Sequence, residues 1–272
     1  MTRVDRRVLH VGLRGSGPAA GTPGRPPIVF LHAFPLDSRM WAPLERELAA
    51  RGVTAHGFDY PGFGTTPLWS DVEPSIDVIA DAAVATLRDG IGALAAHWVG
   101  CSMGGYVALA IAERHPDRVA GLGLIDTRAA ADDDAKRSSR LDAARALDSA
   151  DSFPGPRAAA EGLVGIRGER RDDVVAAAAA IIEPTSPPAA AWGQRAMAGR
   201  PDRTRVLRGA AVPVVVAWGE FDTVTSRGDA DAMASAASTE TAVLTGVGHL
   251  SPLEDPSAVA EALRPLYAPA EG

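Results

Sequence analysis

The sequence predicts an α/β fold, with a mostly parallel central sheet flanked by helices, and three observations carry that reading. Short apolar runs of strand length alternate with segments that repeat apolar residues at helical spacing, the pattern of consecutive β–α units. Turn-rich stretches such as Asp59-Tyr60-Pro61-Gly62-Phe63-Gly64 fall between them. From about Thr127 to Arg208 the strand signal stops, and Ala- and Arg-rich pieces broken by Pro154, Pro156, Pro184, Pro187 and Pro188 read as short inserted helices. The chain has 272 residues, 46% of them hydrophobic, enough for one large core carrying an insertion.

Along the chain, Val8 to Leu13 reads as an early strand and Gly15 to Pro27 as a Gly/Pro loop. Ile28 to His32 is a short continuous apolar run, the mark of a buried parallel strand. Trp41 to Arg51 has helical spacing, and Val53 to Phe58 is a strand candidate. Ile76 to Arg88 predicts a helix, Ala96 to Val99 a very short strand, and Met103 to Arg114 a helix that stops near Pro116. Val119 to Ile125, Val212 to Trp218 and Thr241 to Leu244 complete the strands. Pro256 to Tyr267 is the closing helix, with Asp255 placed to cap it.

The charge balance excludes several function classes. Lys and Arg number 27 against 34 Asp and Glu, a formal net charge of -7, which disfavours nucleic acid and anionic membranes as partners. Lys136 is the only lysine, which reads as compositional bias. The single cysteine, Cys101, forbids an intrachain disulfide. Met1 to Arg7 leads into no apolar stretch, so no secretory leader is expected, and no run approaches a membrane span. A cytoplasmic protein is the simplest expectation, and monomer and homo-oligomer both fit it.

The chemistry centres on Gly100-Cys101-Ser102-Met103-Gly104-Gly105, a G-x-S-x-G between a strand and a helix. Glycines at Gly100 and Gly104 let the turn close tightly, so that the serine hydroxyl projects above the sheet edge at a helix N-terminus. A glycine-rich turn with no catalytic role has the same pattern; the flanking strand and helix favour a nucleophile. A serine needs a base. Among six histidines His249, in Gly246-Val247-Gly248-His249-Leu250, follows the last strand and falls on the same sheet edge. His115 is a weaker rival at a helix end, and His10, His56 and His97 lie in or beside strands. The imidazole needs a carboxylate. Asp222, just past Val212 to Trp218, is preferred over Asp126, which also ends a strand, and over Glu220. Acyl transfer needs oxyanion donors. The Met103 backbone N–H is one, and the Phe34 N–H, in the loop after Ile28 to His32, is the second. Phe34, Trp41, Trp192, Met197 and Phe221 are pocket candidates that are equally able to be core. Cys101, at the x of the motif, should point into the core. Gly15-Ser16-Gly17-Pro18-Ala19-Ala20 is rejected as a dinucleotide fingerprint because of Pro18, and Asp132-Asp133-Asp134 reads as a solvated turn rather than a metal site.

Together these motifs resemble the α/β-hydrolase superfamily over nearly the whole chain. Leu31-His32-Ala33-Phe34-Pro35 is similar to its HG-x-P oxyanion loop, with Ala33 where glycine is usual. Asp59 to Gly64 resembles its D-x-PG-x-G turn, Gly219 to Asp222 its acid loop, and Gly248-His249 with Leu253-Glu254-Asp255-Pro256 its histidine loop. The resemblance implies a core of residues 1–126 and 209–272 and a helical cap of 127–208 over the site. It looks nearest to carboxylesterases and 3-oxoadipate enol-lactonase-like enzymes, which implies a small-molecule ester or lactone as substrate and no metal or organic cofactor. C–C bond hydrolysis, cofactor-free perhydrolysis and a non-catalytic receptor on the same fold are the alternatives. Ser102 argues against the dehalogenase branch, whose nucleophile is aspartate.

Overall fold

The computed structural model describes residues 9–15 and 25–268. Met1 to Arg7, most of the Gly15–Pro27 loop and the rejected glycine motif from Ser16 on lie outside the described residues, as does Val8. Among the described residues, seven strands, β1 (Gly12–Gly15), β2 (Ile28–Leu31), β3 (Ala55–Asp59), β4 (Ala96–Cys101), β5 (Val119–Ile125), β6 (Val214–Gly219) and β7 (Thr241–Leu244), form one sheet in the order β1-β3-β2-β4-β5-β6-β7. Only β1 runs antiparallel. The C-terminal ends of β2, β4, β5, β6 and β7 therefore share one edge.

The helices follow in chain order as α1 (Ala42–Ala50), α2 (Ile76–Thr86), α3 (Met103–Arg114), α4 (Asp134–Asp148), α5 (Pro156–Leu163), α6 (Arg171–Ile182), α7 (Pro187–Ala198), α8 (Thr204–Arg208), α9 (Arg227–Ala236), α10 (Ser251–Glu254), α11 (Pro256–Ala262) and α12 (Arg264–Tyr267). Several prolines of the insertion begin helices: Pro156 and Pro187 each occupy a first helical position, where a missing N–H costs nothing. Among the described residues no single helix is long and apolar enough to cross a membrane.

Several boundaries differ from the sequence reading for identifiable reasons. Within the described part of the early strand read from Val8 to Leu13, pairing begins at Gly12, because the Val11 N–H donates to Thr86 Oγ1 and leaves the ladder. Strand β4 extends two residues beyond Val99, since Gly100 and Cys101 pair with Leu124 and Ile125. A five-residue π turn, Leu87–Ile91, continues α2. The closing helix breaks at Leu263, just before Pro265, while Asp255 caps α11 by accepting the Ala258 N–H. Helix α9 had a readable signal, a capping box between Ser226 and Asp229.

The strands alternate their side chains between two cores. Val29, Leu31, Trp98, Leu122, Leu124 and Val216 face one side, packed with α2 and α3. Ile28, Phe30, Val99, Ile125, Val215 and Ala217 face the other, with α1 and α11. The insertion joins both: α5 and α6 contribute to the second core, and α7 to the first. Helices α4 and α7 meet through Ala144, Leu147, Ala190 and Ala191, with Phe34 and Phe153 alongside.

A buried ion cluster ties the insertion down. Asp132 Oδ2 accepts from Arg140 Nε at 2.6 Å and meets Arg200 Nη1 at 2.9 Å, and the Asp132 and Arg200 side chains are each 2% exposed. Arg200 also lies over the Tyr106 ring at 4.0 Å. The acidic run is thus not a uniformly solvated turn: Asp132 is a buried counter-ion, and Asp133 caps α4 through the Lys136 N–H. Removing one partner of a buried pair strands the other charge, so Asp132→Asn should lower unfolding free energy by about 3–5 kcal/mol in urea titrations. An unchanged midpoint would contradict this account of the cluster.

Candidate active site

The turn that carries Ser102 is built by exclusion of side chains. A Cβ on Gly104 would lie 1.9 Å from the Leu31 carbonyl oxygen, and one on Gly100 would lie 2.1 Å from the Gly104 carbonyl carbon. Only glycine allows β2, β4 and the start of α3 to approach so closely. Ser102 itself adopts φ 53° and ψ -114°, a strained conformation for a residue with a side chain. Its N–H donates to the Ile125 carbonyl at 3.0 Å, and its carbonyl accepts Thr127 Oγ1 at 2.7 Å, so neighbouring loops hold the strain. Met103 is the first residue of α3, where the backbone N–H has no acceptor within the helix.

His249 and Asp222 form a buried pair. His249 Nδ1 lies 2.9 Å from Asp222 Oδ2, and the two side chains are 1% and 0% exposed. Asp222 also accepts the Val224 and Thr225 N–H groups at 2.7 and 3.1 Å, and the Thr225 hydroxyl. Burial pushes the Asp222 carboxyl upward, but the bonds from His249 and Thr225 outweigh it and hold the group below its ordinary value. With Nδ1 engaged, Nε2 is the imidazole nitrogen left for other chemistry. Cys101 Sγ reaches the His249 carbonyl at 3.6 Å, so the histidine loop closes directly behind the serine turn. Cys101 faces the core, and burial, reinforced by nearby carboxylates, pushes its thiol well up.

The rival residues have other occupations. Asp126 Oδ2 accepts the Ser251 hydroxyl at 2.6 Å and Oδ1 the Gly219 N–H at 2.8 Å, so it bridges two loops and is not the bonded partner of His249. Glu220 accepts the Gly246 N–H at an exposed turn. His115 pairs with Asp81, and His10 with Asp89, away from this edge.

The loop after β2 is fixed by a neutral histidine. His32 Nδ1 donates to the Ala33 carbonyl at 3.0 Å and Nε2 accepts the Tyr60 N–H at 3.2 Å, which sets the tautomer. The ring stacks on Tyr60 at 3.8 Å, and burial, despite Asp59 and Asp37 nearby, pulls its pKa down. The Ala33 N–H donates to Met40 Sδ at 3.2 Å.

A family model described as the alpha/beta hydrolase family matches residues 28–262. The chain belongs to that family. Among curated relatives, the pimeloyl-[acyl-carrier protein] methyl ester esterase of Shewanella sp. is 33% identical over 122 residues, 44% of this chain and 39% of that protein. The Aromatoleum aromaticum protein of the same name is 38% identical over 103 residues, 38% of each chain. The matched stretches thus span about two fifths of these relatives. Among solved structures, a thermophilic esterase from Thermogutta terrifontis superposes with TM-score 0.82 at 28% identity, covering 93% of this chain and 92% of that one. The enol-lactonase from Burkholderia xenovorans LB400 gives TM-score 0.80 at 23% identity, covering 94% and 95%, a likeness of fold.

Within this family member, the pocket candidates separate. Phe34 is half-buried and lines an apolar groove of about 380 Å³ with Ala146, Leu147, Ala150, Phe153 and Gln194. Trp41 does not line it: it is wholly buried and stacks on Phe30 at 4.5 Å. Trp192 packs edge-on against Trp69 and donates to the Val72 carbonyl, and Met197 is core beneath Arg140. Phe221 lies under the Arg167 guanidinium at 4.2 Å, and its N–H fastens the acid loop to the Val247 carbonyl. Large apolar side chains close to the sheet were taken up by the cores. Sequence reasoning gave no role to Thr225, Thr127 or Ser251, whose hydroxyls hold the site from positions with no motif of their own.

Burial, opposed by His249 and reinforced by Asp222, raises Asp126 from its ordinary 3.8 to about 7. The folded state therefore holds this proton more tightly than the unfolded chain does. Its stabilising contribution is complete below about pH 4 and is lost as pH climbs through about 7. Asp126→Asn keeps an acceptor for Gly219 and can donate to Ser251. Its stability relative to wild type should rise between pH 4 and pH 7.5 in urea titrations, and a pH-independent difference would refute the shift.

Proposed function

We propose that the chain is a serine hydrolase acting on carboxylic esters or lactones of small molecules through an acyl-enzyme on Ser102. The observation that carries this reading is the buried Asp222–His249 hydrogen bond behind a serine held at positive φ on a glycine-cleared turn. His249 Nε2 takes the Ser102 proton as Oγ attacks the carbonyl carbon, and Asp222 stabilises the imidazolium that forms. The Met103 N–H, at the N-terminus of α3, receives the oxyanion. Because Met40 takes the Ala33 N–H, the next amide, Phe34, is assigned as the second donor. The imidazolium then protonates the leaving alkoxide. Water, deprotonated by His249, cleaves the acyl-enzyme and frees Ser102. Protein groups and water complete every step.

Residues 127–208 are assigned as a cap on a core of 1–126 and 209–272. Helices α4 and α7 wall the groove at Phe34, which places apolar surface beside the assigned oxyanion donor. That arrangement suits an acyl or alcohol portion that is apolar and modest in size. The ester and lactone chemistry of the relatives named above supports the same bond class.

Ser102→Ala should reduce p-nitrophenyl acetate turnover by about 10³-fold or more and abolish labelling by a fluorophosphonate. Asp222→Asn, which disturbs the tautomer while keeping shape, should lower kcat by a comparable order with a much smaller change in KM. Labelling that survives in Ser102→Ala would move the nucleophile elsewhere. Tight ligand binding with negligible turnover across an ester and lactone panel would favour a receptor.

A further inference from the structure

Behind His249 lies a second buried carboxylate that the reaction does not consume. Glu254, in α10, is fully buried. Its oxygens accept backbone N–H groups from two separate parts of the chain. From the histidine loop come Gly248, at 2.7 Å to Oε2, and Leu250, at 3.1 Å to Oε1. From the insertion come Ile166, at 2.6 Å to Oε2, and Gly165, within 3.3 Å of both oxygens. The amide between the two histidine-loop donors, His249 N–H, donates to the Leu163 carbonyl of the insertion at 3.2 Å. Arg170, also from the insertion, donates to the Glu254 main-chain carbonyl at 3.0 Å. Three consecutive amides around His249 are therefore fixed by Glu254 or by the insertion.

The backbones meet without side chains between them. A Cβ on Gly165 would lie 2.6 Å from Gly248 Cα, and one on Gly248 would lie 2.5 Å from Gly165 Cα. Only an acceptor-only group satisfies so many converging donors, and an ionised carboxylate is one.

We infer that Glu254 is a positioning residue that sets His249 through its flanking amides and couples the inserted segment to the catalytic base. It rests on the reading of His249 as general base. Moving residues 163–166 away would remove the Gly165 and Ile166 bonds to Glu254 and release the His249 N–H at the same time. Displacement of the insertion and displacement of the base are thus one event. Phe221 belongs to the same unit, since its carbonyl lies 2.9 Å from a Cβ placed on Gly165.

Glu254→Gln tests this on the full chain, because its NH₂ group must face N–H donors on one side or the other. On folded protein, kcat for p-nitrophenyl acetate should fall by about tenfold or more while KM stays within about threefold. The downfield proton resonance of the His249–Asp222 hydrogen bond should broaden or vanish. Hydrogen exchange should accelerate together at 163–166 and 248–250. Glu45→Gln, at a buried carboxylate outside this site, controls for stability loss and should leave kcat and the resonance unchanged. Wild-type kcat with an intact resonance in Glu254→Gln overturns the inference, as does faster exchange at 163–166 alone. Should Glu254→Gln not fold, Gly165→Ala, which wedges the same contact, is judged by the same readouts. If His249→Ala retained full turnover, the base assignment would fail, while coupled exchange would still report on the Glu254 anchor.

Discussion

Helix α3 can begin where it does because only hydrogen separates Gly104 from the Leu31 carbonyl. That single close approach fixes the depth at which the helix meets the sheet. It sets the angle at which β4 turns into α3, and so forces Ser102 into positive φ. The Ser102 N–H to Ile125 and the Thr127 hydroxyl to the Ser102 carbonyl then oppose relaxation of the turn. The strain of the serine, the direction of its side chain and the placement of the Met103 N–H are consequences of one backbone contact. A methyl group at residue 104 would disturb all three together.

The second constraint is electrostatic. Asp126, Asp222 and Glu254 are all buried near Cys101, beside the histidine loop, an arrangement that would repel strongly if each carboxylate were left alone. Each has a different solution. Asp222 is held by hydrogen bonds from the histidine and from the Thr225 hydroxyl and N–H. Glu254 is solvated by backbone amides in place of water. Asp126 has the fewest donors and answers by holding its proton up to about pH 7. The difference in donor number explains why Asp126 and Asp222 shift in opposite directions.

The legible part of the sequence was the part with local signals. The strand–glycine–serine–helix order marks the tight turn at Ser102 because the clashes it avoids arise within a few residues. The strand ends that carry Asp222 and His249 were readable for the same reason. The sequence order favours Asp222 over Asp126 without removing the rival, since both end strands; in the structure Ser251 and Gly219 bond Asp126 from afar, and Asp222 is the carboxylate bonded to His249. Trp41 and Trp192 show the limit of composition, because a large apolar ring suits a pocket wall and a core equally well. Glu254 was visible only as part of a resemblance, since its partners Gly165 and Ile166 lie 89 and 88 residues away in sequence.

His32 has a consequence for how the molecule meets acid. Both of its nitrogens are committed to main-chain groups, one as donor and one as acceptor, and its ring is buried against Tyr60. Protonation would turn the acceptor nitrogen into a second donor facing the Tyr60 N–H, and burial already opposes that charge. The loop bearing Phe34 therefore keeps its shape across the range in which an ordinary histidine titrates.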